Sequence, residues 1–310
     1  MRIGAGAIWM RSKLNSVDWP ELSFTDWEKT CDTVHMWTQI VGKTRMACEC
    51  RQNHWWNVAF YVTPVGLTTS AIPYRGSTFV VDFDFVLHRL ILKMGDGREH
   101  VIRLYARSVA DFYREYMASL GMFGIELKID RTPAEFDDTT PYDIDDHHAS
   151  YDQGQVEKFH RILVNSDRLL KKFRARFLGK SSPVHFFWGS FDLAMTRFSG
   201  RAAPPNPEID AMTREAYSHE VSSCGFWPGD RRFPHAAFYA YAAPTPEGFS
   251  SQPVHPGAWD SKLGEFILKY DDVRSVETPG PAILDFCQTT YEAAANLAHW
   301  DRPSLERALL

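Results

Sequence analysis

The chain has 310 residues, more than one domain usually needs and a natural length for two. A hydrophobic content of 44%, a charged content of 24% and a net charge of −5, without a basic run, are typical of a globular protein and argue against nucleic-acid binding. No apolar run could span a bilayer, the N-terminus lacks the apolar core of a secretory signal, and five cysteines make no disulfide framework, so we expect a soluble, cytoplasmic protein.

Residues 25–130 are predicted to form an N-terminal half with helices and strands. Apolar residues recur every three or four positions at its start, which predicts a helix over residues 25–50. Turn residues separate the runs that follow, which are predicted to be strands: HWWNVAFYVT, GLTTSAIPY, STFVVDFDFVLHRLIL and, after the hairpin turn GDG, HVIRLY. A second helix is predicted over residues 108–121 with Ser108 as its N-cap, and a short strand, IELKID, follows it.

The run FVVDFDFVLH, residues 79–88, alternates between apolar and polar residues. It is predicted to be one strand whose buried face carries Phe79, Val81, Phe83 and Phe85. The other face would carry Asp82, Asp84 and His88. Salt bridges with Arg89 or Arg103 would make this an ordinary solvated sheet face, which is the interpretation we favour. A cation or a substrate amine between the two carboxylates is the alternative.

The composition changes at residues 131–152, where Asp, Pro and Thr predominate and no periodicity is present. We predict a linker there. The C-terminal half, residues 153–307, is predicted to begin with a helix capped by Asp152 or Ser150. It continues through several strands to a closing helix that has Pro281 near its first turn.

The two halves share an order of motifs. VHMWTQIV at residues 34–41 and VEKFHRIL at residues 156–163 have the same apolar spacing. After each helix, a histidine opens an aromatic run, NHWW at residues 53–56 and VHFFW at residues 184–188. We therefore predict an internal duplication with an α+β fold, in which each half is an antiparallel sheet with flanking helices.

Several longer motifs resemble those of one protein family. They are NHWW, GLTTSAIPY, FDFVLHRL, HHASYD, GKSSPVHFFWGSFDLAMTRFSGR, AYSHEVSSCGFWPG and TYEAAANLAHWDR. The family is known as domain of unknown function 5996, and the resemblance covers about residues 25–307. The family has no established activity, so the resemblance implies no mechanism.

The run VHFFWGSFDLAMTRFSGR, residues 184–201, places charged groups among aromatic ones. Burial costs each charged group its hydration, so stability alone does not explain this mixture. We therefore predict a functional cleft with the catalytic residues His185, Asp192, His219 and Glu220. A buried structural strand is the alternative, with His185 bonded to backbone and Asp192 paired with Arg197 or Arg201.

The substrate-binding groups of this cleft are predicted on the same grounds. Arg197 and Arg201 would hold an anionic group, and aromatic walls would come from Trp188, Trp227, His54 and Trp56. A divalent metal held by His185, His219 and Glu220 is a further candidate, although no standard ligand spacing is present.

These residues predict an enzyme that acts on a small polar or anionic molecule, with or without help from a metal. One alternative is a small-molecule binding or sensor protein without turnover, and another is a structural or interaction protein. The sequence contains no GxxxxGK[ST], GxGxxG or GxSxG motif, so nucleotide-loop and serine-hydrolase chemistry are not indicated. The expected partner is a small molecule, and neither a nucleic acid nor a membrane.

Overall fold

A computed structural model of the chain describes residues 18–307. These residues form two compact units. The first unit contains residues 24–160 and 185–192, and the second contains residues 161–184 and 193–307 together with the described residues before 24. No helix within residues 18–307 combines the length and the apolar character that crossing a membrane requires.

The first unit is built on a long helix and an antiparallel sheet. The helix, α1, spans Phe24–Cys48, and a second helix, α2, spans Val109–Met122. The strands are β1 Tyr61–Thr63, β2 Gly66–Thr68, β3 Ile72–Tyr74, β4 Ser77–Asp84, β5 Arg89–Met94 and β6 Glu99–Arg103. They pair in the order β1-β2-β4-β5-β6, and β3 pairs with β4. A third helix, α3, begins in this unit and spans Gln153–Arg174.

The later part of the chain supplies a second sheet of six strands in the order β11-β12-β10-β9-β8-β7. The strands are β7 His185–Phe187, β8 Asp192–Ala202, β9 His219–Trp227, β10 Ala237–Ala243, β11 Ala258–Asp260 and β12 Glu265–Lys269. The helices are α4 Ala211–Ala216, α5 Tyr270–Arg274, α6 Pro279–Leu297 and α7 Arg302–Leu305. The α+β fold with two antiparallel sheets and flanking helices is therefore confirmed.

The internal duplication stays a prediction. Each sheet has six strands, but His54 lies in a 3₁₀ turn, Asn53–Val58, whereas His185 lies in β7. The predicted division at residues 131–152 also stays a prediction. This stretch contains no helix or strand, and it belongs to the first unit.

Local backbone conformation corrects three of the predicted strands. The run HWWNVAFYVT opens with the 3₁₀ turn instead of a strand, and His54 and Trp55 within this turn both have φ of 58°, in the left-handed region and far from strand values. IELKID forms no strand. The run at residues 79–88 ends as a strand at Asp84, whose Oδ1 accepts the backbone N–H groups of Val86 and Leu87 and so turns the chain.

The alternation in β4 nevertheless has the predicted parity. Phe79, Val81 and Phe83 are buried, with Phe83 only 1% exposed. On the opposite face, Lys93 donates to Asp82 at 3.2 Å and Arg89 donates to Asp84 at 3.0 Å. These pairs support the interpretation of a salt-bridged sheet face. Among the other aromatic residues expected to be buried, Phe191 is buried, but Trp55 and Phe187 are only partly so.

Helix α1 is enclosed over most of its length. Every residue from Thr30 to Arg45 is buried. A helix buried on all sides has no water to satisfy its polar side chains, so each of them needs a partner within the protein. The partners of the polar residues of α1 therefore show where buried polar groups meet in the first unit.

Candidate functional site

A stripe of polar side chains runs along α1. Asp32, His35, Gln39 and Lys43 follow one another at intervals of three or four residues, so they share one face of the helix. All four are buried, and Lys43 is 4% exposed. Lys43 donates to Asp130 at 3.2 Å and also to the carbonyl of Thr132.

Gln39 attaches the acidic stretch 131–152 to this helix. Its Nε2 donates to the carbonyl of Ala134 at 2.7 Å, and its Oε1 accepts the Ala134 backbone N–H at 2.7 Å. The same Oε1 accepts the hydroxyl of Tyr142 at 2.8 Å. The side-chain amide of Gln39 thus satisfies both backbone polar groups of Ala134, as a neighbouring strand would. It holds the stretch 131–152, which has no helix or strand, in a defined place.

His35 lies in the middle of the stripe. Its Nε2 is 2.8 Å from the carbonyl oxygen of Gly189 and 2.9 Å from Nε2 of Gln39. Because a carbonyl only accepts, the hydrogen bond to Gly189 requires the proton on Nε2. Burial lowers the pKa of His35 to about 4, and hydrogen bonds to backbone oppose the shift. The ring stacks on Phe191 with centroids 4.7 Å apart and meets Phe136 edge-on at 5.5 Å. His35 is therefore a neutral donor at neutral pH.

Two carboxylates, those of Glu135 and Asp192, are near enough for the charge of Asp192 to act on Glu135. A Cβ atom on Gly189 would lie 2.7 Å from Oε1 of Glu135, so the Glu135 carboxylate lies directly against Gly189. Partial loss of water around its carboxylate raises the pKa of Glu135, and the nearby charge of Asp192 adds to the shift. Asp192 is buried and accepts the Ser190 hydroxyl at 2.5 Å. We call Glu135 and Asp192 the carboxylate pair.

Both segments that carry the carboxylate pair have an unfavourable backbone conformation. Glu135 has φ of 52°, and Phe191, which precedes Asp192, has φ of 59°. Non-glycine residues pay about 1–3 kcal/mol for such conformations, and they are concentrated at functional sites. Phe191 keeps its conformation because its ring packs against Trp27, Phe159 and Phe186.

Trp188 is held rigidly next to this site. Its Nε1 donates to the carbonyl of Val58 at 2.8 Å, and the indole lies against Gly42 of α1. A Cβ atom at position 42 would come within 2.3 Å of the ring, so the helix has a glycine where a side chain would normally stand. Trp188 therefore anchors the turn that contains Gly189, and its role as a wall of the cleft stays a prediction.

The other predicted residues of the first unit form an aromatic group. The ring of His185 meets Trp56 and Tyr61, each at 5.6 Å between centroids, and Phe187 at 5.4 Å. His54 lies against Trp56 at 5.3 Å. The structure thus brings His185, His54 and Trp56 together, and a catalytic or ligand-binding role for them stays a prediction.

Arg197 of the second unit is only 1% exposed and lies among rings. Its guanidinium is 3.5 Å from the centre of the Phe173 ring and 4.3 Å from that of Tyr291, and Nη2 donates to the Phe173 carbonyl at 2.5 Å. Burial lowers the pKa of Arg197 to about 10. These contacts give the side chain a packing role, and its role in anion binding stays a prediction.

Arg201 and Glu220 line a surface cleft of about 300 Å³ in the second unit. Arg201 Nη2 donates to Glu220 Oε2 at 2.6 Å and also to the carbonyl of Ala298 beyond the last turn of α6. The rest of the lining is largely apolar: Val221, Ala242, Ala243, Pro244, Thr245, Pro246, Glu247, Ala294, Leu297, Ala298 and Trp300. Nearby in sequence, His219 contacts the hydroxyl of Ser218 at 3.1 Å, and Trp227 stacks on Phe233 at 6.0 Å.

Comparison with known families gives one result. A family model described as a family of unknown function, DUF5996, matches residues 19–307. The chain belongs to this family. No curated protein and no solved structure matches this DUF5996 chain. Its chemistry therefore has to be argued from its own side chains.

This DUF5996 chain also groups three side chains of types that can ligate a metal, outside the set that the sequence pattern predicts. Single ligand atoms of Asp138, His147 and His148 lie within 4.8 Å of one another. These residues and Glu135 lie in the acidic stretch that the sequence pattern predicts to be a linker. The adjacent histidines of HHASYD, following an Asp-rich segment, are the one local signal for them. His35 had no such signal, because its position in VHMW fits a simple apolar helix.

Proposed function

We propose that the protein is an enzyme that performs acid–base chemistry on a small polar molecule at the carboxylate pair. The supporting observation is that the Glu135 carboxylate lies against Gly189, three residues before Asp192, and that desolvation and the charge of Asp192 raise the pKa of Glu135. Paired carboxylates in different environments divide into a proton donor and a charged partner. Perturbed pKa values of this kind are concentrated at functional sites.

The two carboxylates have different roles in this proposal. Glu135 keeps an exposed face, so its protonated carboxyl can reach a ligand and act as the general acid. Asp192 is buried and accepts a hydrogen bond from Ser190, and its nearby charge contributes to the raised pKa of Glu135. His35 binds the Gly189 carbonyl and thereby positions the turn between the carboxylates without carrying charge itself.

The charges of the site favour one class of substrate. An anionic group beside two carboxylates would be repelled, whereas a hydroxyl, an amide or an amine could bond to them. The substrate that we propose is therefore a small polar molecule that is neutral or cationic, and not an anionic one. We also propose a cytoplasmic setting, because five cysteines in a chain of this length make no disulfide framework.

The test uses a defined mixture of sugars, polyols, amino acids and amines, followed by ¹H NMR after incubation with the protein. We expect turnover of at least one component, reduced by about 100-fold or more in Glu135→Gln and Asp192→Asn, as for loss of a general acid. Glu99→Gln on β6, an exposed position, is the matched control and should keep full activity. The wild-type rate should fall as the pH rises through the raised pKa of Glu135. Equal rates for Glu135→Gln and wild type would refute the proposal.

The cleft of Arg201 and Glu220 supports binding without turnover as a second function. Its volume of about 300 Å³ is at the lower end of the range of small-molecule pockets. Because Arg201 is already bonded to Glu220 and to the end of α6, the cleft favours a polar ligand with little net charge. Ligand-observed NMR with the same mixture tests this function. A component that binds wild type and Glu135→Gln equally, but binds Glu220→Gln more weakly, would be bound in the cleft of Arg201 and Glu220.

A further inference from the structure

We propose that Asp138, His147 and His148 form a binding site for a divalent transition metal of the Zn²⁺ class. The three residues offer one carboxylate oxygen and two imidazole nitrogens, whose ligand atoms lie within 4.8 Å of one another. Two histidines and one carboxylate suit Zn²⁺ and its neighbours in the first transition row, whereas Mg²⁺ and Ca²⁺ prefer oxygen ligands alone. This site is separate from the carboxylate pair and does not depend on it.

The orientation of His148 is the first argument for the site. Its Nδ1 lies 2.8 Å from Oδ2 of Asp145, a carboxylate that is only 1% exposed. Nδ1 therefore donates to Asp145 in the neutral ring, and Nε2 is then the nitrogen with a lone pair. A carboxylate that fixes the tautomer and the direction of a ligating histidine is the usual outer partner of a protein metal site.

His147 and Asp138 complete the set on the solvent side. His147 Nε2 lies 2.8 Å from Oδ2 of Asp138 and 3.7 Å from Oδ1 of Asp145. The other oxygen of Asp138, Oδ1, accepts the backbone N–H of Thr140 at 2.8 Å, which orients Oδ2 toward the histidine. His147 is exposed and the other two ligands are partly buried, so an ion can enter from solvent.

The backbone under these ligands is anchored by α2. The N–H of Val109 donates to the carbonyl of His148, and the N–H of Ala110 donates to the carbonyl of Asp145, both at 3.0 Å. These N–H groups lie in the first turn of the helix and have no partner within it. A site built on such an anchored segment holds its ligands in place before the ion binds.

Three protein ligands leave at least one coordination position for water or substrate, as catalytic zinc sites do. The sequence pattern had placed a possible metal at His185, His219 and Glu220 instead, and that set stays a prediction.

The test measures Zn²⁺ directly. Untagged protein freed of metal is titrated with ZnCl₂ by calorimetry, and with CoCl₂ by its visible absorption, which reports ligand number and type. We expect about one equivalent to bind. Replacement of a ligand in His147→Gln, His148→Gln or Asp138→Asn should weaken binding more than Asp145→Asn, for which a loss of about 10–100-fold is expected.

Two matched controls separate the site from general surface charge. Asp146→Asn changes an exposed neighbour of the ligands, and His100→Gln changes a histidine on β6, so both should bind Zn²⁺ like wild type. Circular dichroism and thermal melting verify that each variant is folded. Glu135→Gln should also bind Zn²⁺ normally, so the metal site and the carboxylate pair can fail separately. Absence of binding in wild type, or unchanged affinity in both His147→Gln and His148→Gln, would overturn the proposal.

Discussion

Gly42→Ala is expected to destabilise the protein although alanine is the better helix former. In most helix interiors this substitution would gain about 1 kcal/mol. Here the new Cβ would lie 2.3 Å from two carbon atoms of the Trp188 ring, whereas non-bonded carbons prefer about 3.5–4.0 Å. The ring cannot simply withdraw, because its Nε1 is bonded to the carbonyl of Val58. Overpacking of this kind costs about 1–3 kcal/mol.

The net expectation for Gly42→Ala is therefore a lower free energy of unfolding, by up to about 2 kcal/mol. Gly121→Ala is the matched control, since a Cβ there would have no atom within 4 Å and α2 should be slightly stabilised. Urea unfolding followed by circular dichroism and tryptophan fluorescence compares the two. In a Trp188→Leu background, the cost of Gly42→Ala should largely disappear. If Gly42→Ala is as stable as Gly121→Ala, the indole does not lie against α1.

Two further predictions concern the core and the pH dependence of the first unit. Phe83→Ala should lower the free energy of unfolding by about 3–5 kcal/mol, because Phe83 is buried against Phe60 and Phe85. An unchanged urea midpoint would show that Phe83 lies on the exposed face of β4. Burial lowers the pKa of His35 from 6.5 to about 4, so between these pH values the unfolded chain binds a proton that the folded protein does not. The free energy of unfolding therefore decreases as the pH is lowered from about 6.5 to about 4, by up to about 3 kcal/mol. His35→Gln should lack this part of the pH dependence, and parallel stability curves for variant and wild type from neutral pH to about pH 4 would contradict it.

The sequence by itself determined those elements whose signal is local. The apolar spacing predicted α1, and the capping residue of α2 was found at Ser108, whose side chain accepts the N–H of Asp111. The alternation in β4 predicted which side chains are buried, because successive residues of any strand point to opposite faces. The hairpin between β5 and β6 followed from its glycines, of which Gly97 has φ of 90°.

Only the tertiary structure decided the candidate sites. Glu135 and the metal-ligating residues lie in a stretch without periodicity, which the pattern alone predicts to be a linker. Its order comes from contacts with residues far away in the chain, such as the amide of Gln39 bonded to Ala134. Left-handed conformations at Glu135 and Phe191 are unfavourable in a short segment and persist only where packing offsets their cost. Local propensity cannot predict such positions, because the favourable energy that holds them comes from contacts between residues distant in sequence.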